Sequence, residues 1–289
     1  MEVPHVKKAR LSLRELVYLY HDRRLFEKRM GYRCNLRSPR TYSEKIFWRK
    51  LYDRNPLFPV VQDKFRVRDY LREILGQERA GSVLPQLYFA GPDPEKIPFD
   101  TLPGRYFVKA SHGSGWVIPV ENGREADRQD IVRRCREWVN TPYKKEKLEW
   151  SYSQMKPMIL VEEFLEENGK VPTDLKCLVF GGKVRLVYFY YDRFGTPAEA
   201  FFDENGTRLF IAGKHEADSS VRPPANYGDV IALAEELGRP FDFMRVDLYS
   251  IEGRVRFGEM TAYPGSGYYP YPREMDELLG SYWQLPRLE

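Results

Sequence analysis

Two hairpins in the second half of the chain limit what it can fold into. In DLKCLVFGGKVRLVY (174–188) and FDFMRVDLYSIEGRVRFGEMT (241–261), side chains alternate with a period of two about Gly181-Gly182 and Glu252-Gly253. Such a tight turn joins antiparallel neighbours, because a parallel pair needs a crossover of about a dozen residues or more. The second half is therefore expected to be α+β with antiparallel sheets and not an open parallel sheet. Neither GxGxxG nor GxxxxGK[ST] occurs, which counts against the Rossmann and Walker-type nucleotide sites.

The alternation sorts the side chains into faces. On the last hairpin, Phe241, Phe243, Arg245, Asp247 and Tyr249 share one face, while Met244, Val246 and Leu248 point the other way. Across the turn Glu259 and Thr261 share a face, and the two strands can bring Asp247 and Glu259 together. Two such carboxylates suit Mg²⁺, whose shell nucleotide phosphates can complete. They suit a solvated strand as well. On the earlier hairpin, the Gly181-Gly182 turn is expected to pair Val179 with Val184, Cys177 with Leu186 and Leu175 with Tyr188. Asp174, Lys176 and Arg185 then lie on the opposite face, where Lys176 can reach a γ-phosphate or simply belong to a polar surface.

Upstream, Phe107-Val-Lys109-Ala-Ser-His112-Gly113-Ser114-Gly115 runs a lysine-bearing strand into a glycine loop. Glycines let backbone N–H groups close on phosphate oxygens, and Lys109 would add charge at the α- or β-phosphate. A plain hairpin turn has the same composition. The strand MILVEEFLEE (158–167) ends in Glu162, Glu163, Glu166 and Glu167. Adenine can lie along that strand exit with the ribose against a Glu, although acidic strand ends are also common without a ligand.

Helices are expected at 11–30, from Thr41 (where Thr41 and Glu44 make a capping box), from about Asp63 to Gly76, at 127–140, and at 226–238 with Asn226 as N-cap. Strands are expected at 158–163, 174–180, 183–191, and 241–249 paired with 254–261, and residues 141–157 read as a polar, mobile connection. Pro56 and Pro59 suggest an N-terminal helical segment over 1–58. A larger domain would follow over 59–289, with subdomains of about 59–155 and 156–289.

The net charge of +4 is made of interspersed signs, and Lys144-Lys145 is broken at once by Glu146. Without a basic block, a nucleic-acid partner is not expected. The three cysteines, Cys34, Cys135 and Cys177, are odd in number and far apart, which indicates reduced thiols and a cytoplasmic protein. The first residues carry charge and lack an apolar core, and no apolar run can span a bilayer, so neither a signal peptide nor membrane insertion is expected. The histidines form no metal set; His5, His21 and His215 read as surface residues.

In order along the chain stand Lys64 after Asp63, Lys109 with its glycine loop, the acidic strand exit, Asp174-x-Lys176, Arg245-x-Asp247, Glu259-x-Thr261 and Pro264-Gly-Ser-Gly267. This order resembles the ATP-grasp superfamily, and most of all the branch related to the teichuronopeptide-biosynthesis protein TupA. The resemblance covers roughly residues 60–270 and is most specific in VKASHGSG and RVDLYSIEGRVRFGEMTAYPGSG. It implies an ATP-grasp fold, in which two α+β subdomains with antiparallel sheets grip ATP, preceded here by a short helical N-terminal segment.

It further implies ATP and Mg²⁺ as cofactors. Lys109 and Lys176 would hold phosphates, with Asp174 beside them and Lys64 as a looser match. The loop His112, Gly113, Ser114 and Gly115 would close over them. Glu162, Glu163, Phe164 and Leu165 would form the adenine hinge, with Glu163 or Glu166 near the ribose. Asp247 and Glu259 would bind Mg²⁺, joined by Thr261 where many ATP-grasp ligases, such as D-alanine–D-alanine ligase, have Asn. Arg245 would stabilise an acyl-phosphate and the tetrahedral intermediate.

The implied activity is an ADP-forming carboxylate–amine ligase. It would join a sugar (uronic) acid or peptide carboxylate to an amino acid or amine in polysaccharide or related biosynthesis. The alternatives are a kinase-like phosphotransferase on a glycan or small molecule, and a non-catalytic ATP-binding scaffold.

Overall fold

A computed structural model describes residues 5–6, 12–143, 145–191, 196–211 and 219–288, without the side chains of 5, 6, 145 and 288. His215 and the side chain of His5 lie outside the described residues.

The chain begins with β1 (His5–Val6) and α1 (Leu13–Met30), followed by α2 (Tyr42–Tyr52), α3 (Phe58–Val61), α4 (Val67–Leu75) and α5 (Gln77–Val83). Then come β2 (Leu87–Gly91), β3 (Tyr106–Ala110), β4 (Val117–Val120), α6 (Arg128–Asn140) and β5 (Ile159–Glu163). The rest is β6 (Asp174–Phe180), β7 (Lys183–Tyr191), β8 (Ala198–Phe202), β9 (Arg208–Leu209), α7 (Tyr227–Gly238), β10 (Phe243–Ile251), β11 (Arg254–Thr261), α8 (Arg273–Ser281) and β12 (Arg287–Leu288).

Two antiparallel sheets organise these elements. One has four strands in the order β2-β5-β3-β4; the other has six in the order β11-β10-β6-β7-β8-β9. β1 and β12 form a separate short parallel pair. The smaller sheet buries Val108, Ile118 and Val161 against Ile131, Cys135 and Trp138 of α6. The larger packs against α7 through Val230, Ala234 and Leu237. β5 belongs to the smaller sheet although it lies beyond residue 155, so the two sheets part between Glu163 and Asp174.

The N-terminal helices are not a separate body. Ser12 and Thr41 each open a helix with a complete capping box, in which the cap side chain and Glu15 or Glu44 satisfy each other's backbone N–H groups. Tyr42 and Ile46 of α2 are buried in the main core, and Tyr42 meets Phe243 edge-on at 5.2 Å. α1 is tied on by a buried pair, Lys50 Nζ to Asp22 Oδ2 at 2.6 Å.

Several expectations are corrected. The third helix begins at Val67, because Asp63 accepts hydrogen bonds from the N–H groups of Phe65 and Arg66 in a turn ahead of it. Asn226 does stand at the N-cap position of α7, but its side chain makes no capping bond; it donates to Gly253 O and accepts from Ser250 Oγ. In the β6–β7 hairpin Val179 does pair with Val184, but the register then shifts, so that Leu178 faces Leu186, Cys177 faces Val187 and Lys176 faces Tyr188. Arg185 is the extra residue of this β-bulge. Leu186 to Phe189 are all buried on this central strand, so period-two alternation could not fix its register.

The last hairpin pairs Arg245 with Thr261 and Asp247 with Glu259. Its register shifts just beyond, where Gly258 is the extra residue. A Cβ there would lie 2.9 Å from the Asp247 carbonyl oxygen, so glycine is what allows β11 to close on β10.

Candidate functional site

One register position gathers the central charges. Asp247 on β10 faces Lys176 on β6 to one side and Glu259 on β11 to the other. Lys176 Nζ lies 2.6 Å from Asp247 Oδ2, and the Arg245 guanidinium donates to both Asp247 oxygens, at 2.7 and 2.8 Å. The same guanidinium reaches Glu259 Oε1 at 2.7 Å and Thr261 Oγ1 at 3.3 Å. Asp247 is 1% exposed, and a carboxylate that deep would be costly without such partners. Burial is the largest single influence on Lys176 and Arg245 and lowers both pKa values. Asp247, joined by Asp174 and Tyr188 around Lys176 and by Tyr188 and Glu259 around Arg245, outweighs it in sum and holds both above their ordinary values, as firm cations.

Two cavities flank this cluster. One, of about 360 Å³, opens between the sheets and is lined by Lys109 of β3, Gly115, Glu162 of β5 and Asp174 of β6, with Val67, Leu84 and Phe257 as apolar walls. The other, of about 370 Å³, is lined by Gly113, Arg245, Thr261, Gln62, Tyr152 and Tyr263 among others. Lys64, Ser114 and Glu259 line both. The Lys64 amine donates to the Gly113 carbonyl and has no carboxylate at ion-pair distance among the described residues. Burial lowers its pKa, and Glu259 partly offsets this.

Around the first cavity, Lys109 Nζ lies 3.0 Å from Glu162 Oε2. Arg68 holds the other Glu162 oxygen at 3.2 Å and the Pro85 carbonyl at 2.9 Å. Gly113 and Gly115 have φ of +145° and +80°, and a Cβ on Gly113 would meet the Tyr143 ring at 2.8 Å. The loop can adopt this path only with glycine.

The remaining expected residues lie elsewhere. His112 points away from both cavities; its Nε2 is 3.1 Å from the Trp138 carbonyl, and its ring packs edge-on against Trp116. Lys176 lies beneath the cavities, engaged with Asp247. Glu163 is bound by Arg256 at 2.6 Å and by the Gln86 N–H at 2.9 Å. Glu166 pairs with Arg105, Phe164 stacks on Phe107 at 4.4 Å, and Leu165 is buried. Arg68 and Arg256 were missed in the sequence. Each meets its partner glutamate only through tertiary folding, and no motif marks either one.

Asp247, Glu259 and Thr261 offer three hard oxygens on adjoining strands, and Glu259 reaches both cavities. No group of three or more His, Cys, Asp or Glu side chains able to hold a metal occurs among the described residues. Glu259 and Thr261 face the second cavity, where Mg²⁺ could take the rest of its shell from phosphate oxygens. Asp247 lines neither cavity, and would join them only by exchanging Arg245 or Lys176 for the ion.

Paired antiparallel sheets and a lysine-bearing glycine loop beside an Arg–Asp–Glu cluster define an ATP-grasp domain. A model of the TupA-like ATP-grasp family matches residues 44–284, and the chain belongs to that family.

Among solved structures, D-alanine–D-alanine ligase from Bacillus anthracis complexed with ATP is 15% identical over 70% of this chain and 56% of its own, with a TM-score of 0.42. The ATP-grasp ligase PsnB complexed with minimal precursor is 16% identical over 72% of this chain and 53% of its own, with a TM-score of 0.38. D-alanine–D-alanine ligase from Helicobacter pylori is 15% identical over 78% and 62%, with a TM-score of 0.41. The chain thus spans little more than half the length of the first two. No curated protein matches it.

Proposed function

We propose that the chain is an ATP- and Mg²⁺-dependent carboxylate–amine ligase acting through an acyl-phosphate. The observation that carries this reading is the shared wall of the two cavities, where Lys64, Ser114 and Glu259 meet. A nucleotide in the first cavity and a carboxylate in the second would face each other there, with Arg245 on the carboxylate side.

Lys109, Lys64 and the backbone of the 113–115 loop would hold the phosphates, and the apolar walls near Glu162 to Leu165 would take the adenine. Asp247, Glu259 and Thr261 would hold Mg²⁺, which when bound neutralises charge on the phosphoryl group. Burial raises the Asp247 pKa; Arg245 and, after it, Lys176 oppose that rise and hold the carboxyl in place. Arg245 aligns the acid, because its planar fork meets a carboxylate at two points. A carboxylate oxygen attacks the γ-phosphorus in line and ADP leaves. The amine then attacks the acyl carbon and phosphate departs. Lys64, at the wall, would steady the charge that builds in both steps.

Following the family resemblance, the acid is a sugar (uronic) or peptide carboxylate, and the amine is an amino acid or related compound in polysaccharide or similar biosynthesis. Cys34, Cys135 and Cys177 are buried free thiols, and no helix among the described residues is long and apolar enough to cross a membrane. Both observations support placing the enzyme in the cytoplasm. The test is ADP release screened over paired sugar acids and amino acids, with the product weighed by mass spectrometry. An amide supports the ligase; a phosphoester would make the protein a phosphotransferase, and no ATP turnover with any pair would leave only a binding role.

A further inference from the structure

The second cavity has charges that activation of one carboxylate does not use. The Arg29 guanidinium carbon lies 5.2 Å from the centre of the Tyr268 ring, and Lys147 Nζ lies 4.8 Å from it. Lys50 also approaches that ring, but it is buried and committed to Asp22 at 2.6 Å. Asp22 accepts from the Tyr268 hydroxyl as well, and Lys147 stands off at 4.0 Å from it. One carboxylate is thus set against two amines. Arg29 has no ion-pair partner among the described residues.

Taken together, the described lining carries four cations, Arg29, Lys64, Lys147 and Arg245, against two acids, Glu149 and Glu259. Glu259 already belongs to the Arg245 cluster. The rest of the wall is rich in hydroxyls, among them Ser266, Tyr152 and Tyr263. α1 is anchored rather than loosely draped, since the Asp22–Lys50 pair is buried and Phe26 packs on Phe47 at 5.0 Å. Yet α1 lies outside the span that matches the family, which begins at residue 44.

We propose that Arg29 and Lys147, placed about Tyr268, form a second anion subsite in the cavity that receives the acid. The acid activated there carries a second anionic group, on a hydroxyl-bearing frame like that of a sugar. One end would meet Arg245 and Lys64, and the other would meet Arg29 and Lys147. The face of the Tyr268 ring attracts both cations and restricts where they can go. This rests on the reading that the cavity holds the carboxylate to be activated.

The experiment measures binding to the protein loaded with Mg²⁺ and a non-hydrolysable ATP analogue, using glucuronic acid and glucuronic acid 1-phosphate as probes. The phosphorylated acid is expected to bind roughly ten- to a hundredfold tighter, the range of a charge-assisted pair. Replacing both cations, Arg29→Ala with Lys147→Ala, should bring the two acids to within about threefold of each other. Arg29→Lys alone should keep most of the preference, because the charge remains. Analogue affinity serves as the control for an intact fold. Three results overturn the proposal: equal affinity of the two acids for the unaltered protein, no binding of either, or a preference that survives in the double variant. ATP-dependent hydroxamate formation is read separately. A preference without hydroxamate sustains the subsite and shows that neither probe acid is activated there; the ligase reading falls only if no acid that drives ADP release yields hydroxamate.

Discussion

Lys176 Nζ and Asp247 Oδ2 lie 2.6 Å apart across β6 and β10, at a position where Asp247 is 1% exposed. The pair makes Asp247 a structural as well as a chemical residue. Asp247→Asn would strand both Lys176 and Arg245 as buried cations with one acid fewer. We expect it to abolish ADP release and to cost about 3–5 kcal/mol of stability, the range seen when one partner of a buried pair is removed. Adding Lys176→Met to Asp247→Asn should recover part of the stability and none of the activity. Urea unfolding of the two variants checks this; an Asp247→Asn protein as stable as its parent would contradict the arrangement.

The phosphate side rests on Lys109 and Lys64. Lys109→Ala is expected to weaken binding of a non-hydrolysable ATP analogue by about 1.5–3 kcal/mol, the worth of a hydrogen bond to a charged group. Lys64→Ala should weaken it too, and should also lower the rate at saturating ATP, because Lys64 lines both cavities. Calorimetry and steady-state kinetics separate the two effects. Unchanged analogue affinity in both variants would remove the nucleotide from this cavity.

α8 approaches the start of α2 so closely that a Cβ on Gly280 would lie 2.0 Å from the Arg40 carbonyl oxygen. Backbone on both sides cannot yield as a flexible side chain would. Gly280→Ala should therefore destabilise the protein by about 1–3 kcal/mol or more, as overpacking does. A thermal melt reads this directly, and an unshifted midpoint would mean that the α2–α8 contact is looser than the structure has it.

Much of the frame was legible in the sequence. The short Glu252-Gly253 turn and the alternation around it marked the hairpin, but counting outward from that turn sets Asp247 against Gly258. Glu259 comes opposite Asp247, and Thr261 opposite Arg245, only because Gly258 is bulged out. The Thr41–Glu44 capping box marked α2. What was not legible depends on single-residue shifts or on distant partners. Arg185 bulges out between two apolar residues, and nothing in VRLVY favours one register over the other. The strand β2, the bounds of β8 and β9 about the expected Glu204-Asn-Gly206 turn, and the helices α5 and α8 were not foreseen. The three strands are short and gain most of their definition from the sheets they join.

The charged residues show the same limit. The pattern placed Lys176 on the right face, but a lysine reaching a phosphate and one held by Asp247 look identical in one dimension. Glu163 and Glu166 were candidates for the ribose because they follow an apolar strand. Arg256 and Arg105, remote in sequence, engage them instead.

The central claim is that a carboxylate is phosphorylated where the two cavities meet, and hydroxylamine trapping tests it most directly. With ATP, Mg²⁺ and an acid that supports ADP release, and with the amine omitted, hydroxylamine should yield a hydroxamate that requires ATP. Arg245→Lys should lose most of it while still binding nucleotide, because a lysine cannot hold a carboxylate at two points. Absence of hydroxamate from every acid that drives ADP release, or recovery of a stable phosphoester in its place, would contradict the account.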